Sequence, residues 1–206
     1  MKKILLYCLL AFVILINTGC PKPCIEAEYS FAIQSQITPD MDSVSIGDTI
    51  YLISSTPTTM KELSTGMEVD YSGATIGSNL SIAEALNGTN VPRDAVFDFD
   101  YVSIKGGVYN DRNIPRPDGV QQLKYEEING RYELKIGIIP KKRGLYAFGV
   151  GNGFSTGRNK KNVCEKASFS ISLNNTDQHL YLYREIDPSH QFTDFESKRI
   201  YYFKVY

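Results

Sequence analysis

Several stretches of the chain alternate between apolar and polar residues, the period of two that is typical of β-strands with one buried face. The clearest is residues 42–57, DSVSIGDTIYLISSTP, where a Gly-Asp pair marks a turn between two alternating runs. After that turn, Ile50, Leu52 and Ser54 share one face, and Thr49 begins the other. We therefore predict a short strand, a turn and a longer strand.

Residues 94–104 alternate as well, with one change of phase. The predicted buried face carries Ala95, Phe97, Phe99 and Tyr101, and the predicted solvent face carries Asp94, Asp98 and Asp100. Val102 and Ile104 continue in the opposite phase, which predicts a β-bulge near Tyr101.

The sequence of the second half of the chain predicts further strands, and few segments of the chain predict a helix. Two strands are predicted around residues 140–144, one follows Cys164, and residues 199–206, RIYYFKVY, form a closing strand. The best helix candidate is residues 79–88, where Ser81 and Glu84 have the spacing of a capping box. A short turn is predicted within residues 187–200.

Two segments resemble immunoglobulin-like domains. The run DSVSIGDTIYL is similar to the passage from strand A′ into strand B of bacterial members, and KKRGLYAFGV, residues 141–150, is similar to the approach to strand F. The resemblance implies a mainly β fold for residues 25–206. We expect an Ig-like antiparallel β-sandwich with a short helix and an extra C-terminal hairpin.

The start of the chain predicts export. Lys2 and Lys3 precede an uncharged run at residues 4–16. As a helix this run would span roughly 20 Å, against a hydrocarbon core of about 30 Å. We interpret residues 1–19 as a secretory signal peptide, and an uncleaved anchor helix is the alternative.

The end of that run resembles a bacterial lipobox, with Thr18 and Gly19 before Cys20, although Asn17 replaces the favoured leucine. The resemblance implies that a diacylglycerol is transferred to the Cys20 sulfur, followed by cleavage before Cys20. Residues 20–24 would then be a lipidated tether. Pro21 occupies the place of the aspartate that retains some lipoproteins at the inner membrane, so sorting to the outer membrane is allowed.

The remaining cysteines are consistent with an oxidising compartment. Cys8 leaves with the signal peptide and Cys20 carries lipid, so Cys24 and Cys164 remain as an even pair. We predict a disulfide between them, and two separate thiols are the alternative. Lysine and arginine number 22 against 23 acidic residues, a balance that gives no support for nucleic-acid binding.

No motif predicts catalysis, a cofactor or a metal. The glycine-rich loop 149–157 lacks the spacing of a dinucleotide or phosphate loop, so we predict a hairpin loop. Its exposed tip, a candidate contact surface, comprises Phe154, Arg158, Lys160 and Lys161. Asp94, Asp98 and Asp100 could offer oxygens to calcium, but alternation with aromatics favours a solvated strand face.

Three further groups of residues are candidate functional positions. The two histidines, His179 and His190, lie near Asp187 and Asp194, but sequence spacing does not bring them together. The C-terminal tyrosines suit either core packing or a stacking surface; they are Tyr181, Tyr183, Tyr201, Tyr202 and Tyr206. Ser43 and Thr49 match the D-[ST]-aliphatic pattern of O-glycosylation in exported Bacteroidetes proteins.

Taken together, the chain resembles uncharacterised Bacteroidetes lipoproteins built on Ig-like domains, which carry no known catalytic residue. The resemblance implies a non-enzymatic binding or structural module, lipid-anchored in the bacterial cell envelope, with a protein or glycan ligand. One alternative is an accessory hydrolase or metal-dependent enzyme of nutrient uptake. Another is a surface-fibre or adhesin subunit, which requires an unpaired sheet edge that accepts a strand.

Overall fold

A computed structural model describes residues 25–86, 92–108, 119–155, 158–160 and 163–206. The fold is mainly β. In chain order the strands are β1 (Ile25–Thr38), β2 (Ser43–Val44), β3 (Ile50–Pro57), β4 (Thr59–Lys61), β5 (Glu68–Asp70), β6 (Ile76–Ala85), β7 (Arg93–Asp94), β8 (Phe99–Lys105), β9 (Gly107–Val108), β10 (Val120–Lys124), β11 (Glu126–Ile128), β12 (Arg131–Pro140), β13 (Gly144–Val150), β14 (Gly153–Ser155), β15 (Arg158–Lys160), β16 (Val163–Leu173) and β17 (Ile200–Val205). The helices are α1 (Leu180–Arg184) and α2 (Asp194–Arg199), and short 3-10 turns lie at Val96–Asp98 and Asp177–His179.

Strand β1 belongs to both halves of the sandwich. Its last residues, Ser35–Thr38, pair antiparallel with β3, and its first eleven pair parallel with β16. One half runs β11-β12-β3-β1, with β8 also paired to β12. The other half runs β16-β14-β6-β13-β17-β2, with β10 beside β6. A first strand shared between two largely antiparallel halves and parallel to the late strand β16 is the arrangement of an Ig-like sandwich.

The core lies between the two halves because alternate residues of each strand turn inward. In β3 and β12 the buried residues follow the predicted period of two: Ile50, Leu52 and Ser54, then Leu134, Ile136 and Ile138. Across the interior, the ring of Phe99 from β8 meets the ring of Tyr146 from β13 edge-on, with centroids 4.9 Å apart. Such edge-to-face contacts between the halves add to the hydrophobic burial that stabilises the fold.

The predicted strands at β3, β13, β16 and β17 are confirmed, but the predicted helix at residues 79–88 is wrong. Residues 79–85 of that segment lie within β6, which pairs with β13 on one side and β10 on the other. Leu80 and Ile82 are buried at a spacing of two. The capping pattern of Ser81 and Glu84 is a local signal, and pairing on both sides overrides it.

The predicted faces of residues 94–101 are wrong at two positions. Val96–Asp98 form a 3-10 turn, which shifts the phase of the side chains. Phe97 is therefore 53 % exposed, whereas Asp98 is buried. Ala95, Phe99 and Tyr101 are buried as predicted. The register irregularity in β8 lies between Ser103 and Lys105, at Ile104, three residues beyond Tyr101.

The C-terminal segment adds two helices and one strand to the sandwich. Helix α2 begins at a capping box in which Thr193 and Glu196 satisfy each other's backbone N–H groups. Of the expected hairpin, the structure has the closing strand β17, which pairs antiparallel with β13 and parallel with β2. The helices pack on the outer face of this sheet, where Leu145, Leu182 and Tyr202 form a second small core. Within the described ranges, no helix is long and apolar enough to cross a membrane.

Candidate functional site

A cavity of about 310 Å³ opens between the outer face of β6, β13 and β17 and the helical segment that precedes β17. We call it the aromatic cleft. Its lining comes from five stretches of sequence: Ala83, Ala85, Leu86, Pro92, Ala147, Tyr183, His190, Glu196, Ile200 and Tyr202. The volume lies at the lower end of the range for small-molecule sites.

The floor of the aromatic cleft is built from small side chains. Ala147 on β13 stands between Ala83 on β6 and Tyr202 on β17 in the sheet register. An outward-facing strand position normally carries a longer side chain, and at these positions such a side chain would fill the space. The alanines therefore create the cavity, and the helical segment encloses it.

Aromatic rings form one wall of the cleft. The Tyr183 ring lies 4.9 Å from His190 and 5.3 Å from Tyr202, measured between ring centroids. Phe192 packs behind His190 at 4.7 Å, and the guanidinium of Arg184 covers the Phe192 ring at 5.4 Å. The rings support one another in edge-on and tilted contacts, which hold this wall in place without a ligand.

Polar groups also converge on the cleft. His190 Nε2 lies 3.1 Å from Glu196 Oε1, while Glu196 Oε2 accepts hydrogen bonds from the backbone N–H and hydroxyl of Thr193 at 2.7 and 2.8 Å. Burial alone would raise the pKa of Glu196, but the hydrogen bonds from Thr193 and His190 outweigh it and lower this pKa below its usual value. Glu196 is therefore a carboxylate that orients the His190 ring.

The phenol of Tyr202 is one of the polar groups of the cleft. Burial, and secondarily the nearby negative charge of Glu196, raise its pKa, so the hydroxyl stays protonated at neutral pH. It makes no hydrogen bond to any residue that the structure describes. A neutral phenol both donates and accepts, and this one is available to a ligand.

The second histidine lies at a different place. His179 is buried, with Nε2 2.7 Å from Asp40 Oδ1 and its ring 4.2 Å from the Tyr201 ring. Nδ1 lies 3.0 Å from Asp42 Oδ1, but outside the direction that a ring N–H hydrogen bond needs, so this contact is electrostatic only. The two aspartates contact different nitrogens of the ring, an arrangement that connects residues 40–42 to the C-terminal segment.

The structure does not bring the two histidines to one site, and Asp187 meets His190 through the His190 backbone N–H, 3.2 Å from the Asp187 carbonyl oxygen. Asp187 accepts hydrogen bonds from Ser189, and Asp194 pairs with Lys198. The histidines instead contact Asp40 and Glu196, partners that lie 139 and 6 residues away in sequence. Sequence spacing carries no signal for the first of these contacts.

The acidic residues of the 94–100 stretch also diverge. The buried carboxylate of Asp98 pairs with Arg93 and lies 2.5 Å from Lys142 Nζ, while exposed Asp100 pairs with Lys141 at 2.9 Å. In the parts of the chain that the structure describes, no three His, Cys, Asp or Glu side chains are placed to hold a metal ion.

The glycine-rich loop differs from its predicted form. Phe154 is partly exposed as expected, but Arg158 is only 7 % exposed. Its guanidinium pairs with Glu165, donates to the carbonyl oxygens of Asp70 and Ser72, and lies over the Tyr71 ring. The prediction of an exposed Arg158 is wrong because a buried carboxylate and two carbonyls take up its donors. Lys161 and the side chain of Lys160 lie outside the described residues.

The remaining predicted positions are scattered. Ser43 and Thr49 are half-buried, the first in β2 and the second immediately before β3. Tyr181 and Tyr206 are exposed and Tyr201 is buried. Cys20 and Cys24 lie outside the described residues, and so does the side chain of Cys164, whose backbone pairs with Glu26.

Comparisons with known proteins give little support for any identity. No protein-family model matches the chain, and no curated protein matches it. Among solved structures, the CupB6 tip adhesin from Pseudomonas aeruginosa is similar at 14 % sequence identity and a TM-score of 0.21. The match covers 73 % of this chain and 44 % of the adhesin, so the chain spans less than half of that protein's length.

Proposed function

We propose that the chain is a lipid-anchored module of the bacterial cell envelope, and that it binds a small ligand in the aromatic cleft without chemical change. The observation that carries the binding role is the cleft itself: an alanine floor, a wall of mutually supporting rings, and a free phenol beside an oriented imidazole. Mostly apolar walls with a few converging polar groups are the usual composition of ligand sites.

The anchor rests on the lipobox-like sequence that ends at Cys20. Two acyl chains are enough for stable membrane attachment, and the five residues 20–24 would connect the lipid to β1. We place the module at the outer membrane, facing the periplasm or the exterior. The chain extracted from membranes should carry fatty acids that are absent from Cys20→Ser. A wild-type mass that begins at Met1 and carries no acyl group would contradict the anchor.

The binding role is tested by filling the cleft. The chain is first screened against glycan, peptide and small-molecule panels, and each ligand found is measured again with Ala83→Leu, which places a larger side chain on the cleft floor. Ala32→Leu is the matched control, because Ala32 also faces outward on a strand but lies on β1. Binding that is lost in Ala83→Leu and kept in Ala32→Leu supports the proposal. Ligands that bind both variants equally would contradict it, as would a panel without any ligand.

One observation favours an enzyme as the second candidate function. The carboxylate of Glu196 orients His190 at the cleft wall, as a carboxylate does for a general-base histidine. In such an enzyme His190 would act as a general base on water. Hydrolysis of a bound ligand by the wild type and not by His190→Gln would favour this candidate. Intact ligand after prolonged incubation favours simple binding.

A further inference from the structure

The aromatic cleft has a negative charge in its wall. Among the described residues that line it, Glu196 is the one with a carboxylate. Burial opposes ionisation of this group, but the hydrogen bonds from Thr193 and His190 lower its pKa below the usual value. With a neutral imidazole, the pair of His190 and Glu196 has a net negative charge. The cleft therefore favours a ligand that carries a positive charge.

The oxygens of Glu196 are largely occupied by the protein itself. Oε1 lies 3.1 Å from His190 Nε2, and Oε2 accepts from the backbone N–H and the hydroxyl of Thr193 at 2.7 and 2.8 Å. A primary ammonium brings several N–H donors, and each donor that is buried without an acceptor costs free energy. A quaternary ammonium has no N–H and needs no acceptor. The carboxylate offers charge more than hydrogen bonding, which suits the quaternary group.

The rings of the cleft supply a second attraction for such a group. The Tyr183 ring is inclined by 39° to the Tyr202 ring and by 73° to the His190 ring, so the three rings form a concave corner. The face of an aromatic ring attracts a cation that lies within about 6 Å of its centroid. Methyl groups on the cation would also gain from burial over the floor formed by Ala83 and Ala147.

The neighbouring arginines stand outside the cleft. Arg184 lies over the ring of Phe192, 5.4 Å from its centroid, and neither residue lines the cleft. Arg199 lines an adjoining cavity of about 170 Å³ and donates a hydrogen bond to Asn152 Oδ1 at 2.5 Å. Both guanidinium groups are thus engaged elsewhere, and the carboxylate of Glu196 sets the charge of the described lining.

The hydroxyl of Tyr202 can orient the ligand. Burial is the main cause of its raised pKa, so it remains a donor at neutral pH, and it has no hydrogen-bond partner among the described residues. An oxygen close to the ammonium group of a ligand could accept this hydrogen bond.

We propose that the aromatic cleft binds a small quaternary ammonium compound with an oxygen near the charged nitrogen, as in choline. The methylated nitrogen lies against the rings of Tyr183 and Tyr202, close to the carboxylate of Glu196, and the oxygen accepts from the Tyr202 hydroxyl. This assignment rests on the ligand-binding role proposed above and adds the chemical class of the ligand.

The test is isothermal titration calorimetry of the full-length chain in a maltoside detergent, which has no ammonium group, at about pH 8, where an ordinary imidazole is neutral. The probes are choline, ethanolamine, and the uncharged analogue of choline in which a tert-butyl group replaces the trimethylammonium group. Choline should bind at least about tenfold more tightly than either of the others. Its binding should be lost in Ala83→Leu and kept in Ala32→Leu.

Two substitutions separate charge from ring. Glu196→Gln removes the charge but keeps a residue that suits the capping position of α2, so it should weaken choline binding at least about tenfold and leave the tert-butyl analogue unaffected. Asp194→Asn is the matched control, because it removes the same charge from an exposed residue of the same helix, which pairs with Lys198; choline binding should be nearly unchanged. Tyr183→Phe should keep choline binding, and Tyr183→Leu should abolish it.

The outcomes distinguish the ligand class from the binding role. Equal affinities for choline and its tert-butyl analogue, both lost in Ala83→Leu, would overturn the quaternary ammonium assignment and leave the binding role intact. Tighter binding of ethanolamine than of choline would also overturn it, and so would a lack of choline binding when another panel compound occupies the cleft. If no compound at all bound in a way that Ala83→Leu abolishes, the proposed function itself would fail.

Discussion

The hydroxyl of Tyr146 donates a hydrogen bond to the carbonyl oxygen of Lys142, four residues upstream, at 3.1 Å. Tyr146 is fully buried near the start of β13, and Lys142 lies in the turn that follows β12. The bond therefore ties the corner where the chain crosses from one half of the sandwich to the other. Ig-like sandwiches carry a tyrosine corner at the equivalent crossing, so this contact supports the fold assignment independently of strand order.

Replacing Tyr146 by phenylalanine tests the corner. Tyr146→Phe keeps the ring in the core but removes the hydrogen bond to the carbonyl of Lys142, so it should lower the free energy of unfolding by about 0.5–1.5 kcal/mol. Urea unfolding followed by circular dichroism measures the change. Tyr206→Phe, at an exposed C-terminal tyrosine, should stay within about 0.5 kcal/mol of wild type. If the two substitutions changed the free energy of unfolding equally, the hydrogen bond of Tyr146 would have no special structural role.

The buried pair of Arg158 and Glu165 gives a second prediction. Arg158→Met leaves the Glu165 carboxylate buried without its partner and should destabilise the fold by about 3–5 kcal/mol. The double variant Arg158→Met with Glu165→Leu should recover much of that loss, because no uncompensated charge remains. In the partly exposed pair of Lys105 and Glu133, Lys105→Met should cost under about 1 kcal/mol. A double variant no more stable than Arg158→Met would contradict this reasoning.

Glu62 predicts how stability depends on pH. Its carboxylate accepts hydrogen bonds from the hydroxyls and N–H groups of Ser64 and Thr65, and these lower its pKa from 4.5 to about 2. Because the pKa is depressed in the folded state, the stabilisation is present above pH 4.5 and is lost as the pH falls toward 2. The urea midpoint of wild type should therefore fall over this interval more steeply than that of Glu62→Gln.

The control for this pH dependence is Glu68→Gln, at an exposed residue of β5. It should follow the wild-type curve. If Glu62→Gln also followed that curve, the hydrogen bonds to its carboxylate would contribute nothing in the folded state.

The predicted disulfide between Cys24 and Cys164 stays a prediction. Within the described residues, the backbone of Cys164 pairs with that of Glu26. We predict that the chain from membranes yields Cys24 and Cys164 as one linked species in non-reducing peptide maps. Cys164→Ser should then cost about 2–5 kcal/mol of stability. Recovery of both cysteines as separately alkylated thiols would refute the bridge.

The strands that alternation predicts well are those with one face on the core. In β3 and β12, a shift of one residue would expose every buried aliphatic side chain, so the pattern is strongly constrained. Strand β6 was predicted as a helix because its residues Ala83, Glu84 and Ala85 favour helix locally. Its partners β13 and β10 lie far along the chain. A single sequence window does not contain that information.

The aromatic cleft was only partly visible in sequence. The C-terminal tyrosines and His190 were candidates, but the alanine floor gave no signal, because Ala83 and Ala147 become neighbours only through strand pairing. The carboxylate that orients His190 is Glu196, which doubles as the capping residue of α2, and not the aspartates that the pattern suggested. Phe97 is exposed for a reason that the sequence pattern does not contain. A single 3-10 turn exchanges the inward and outward directions of Phe97 and Asp98.

Because β1 runs parallel to β16 over eleven register positions, tension applied along the chain at Ile25 acts lengthwise on their shared ladder. The hydrogen bonds are then loaded in shear and must yield together, whereas a hairpin pulled from one end would open bond by bond. The same strand is also bonded to β3, so its extraction would separate both halves at once. A domain attached to its support through β1 would therefore resist mechanical force as a single unit.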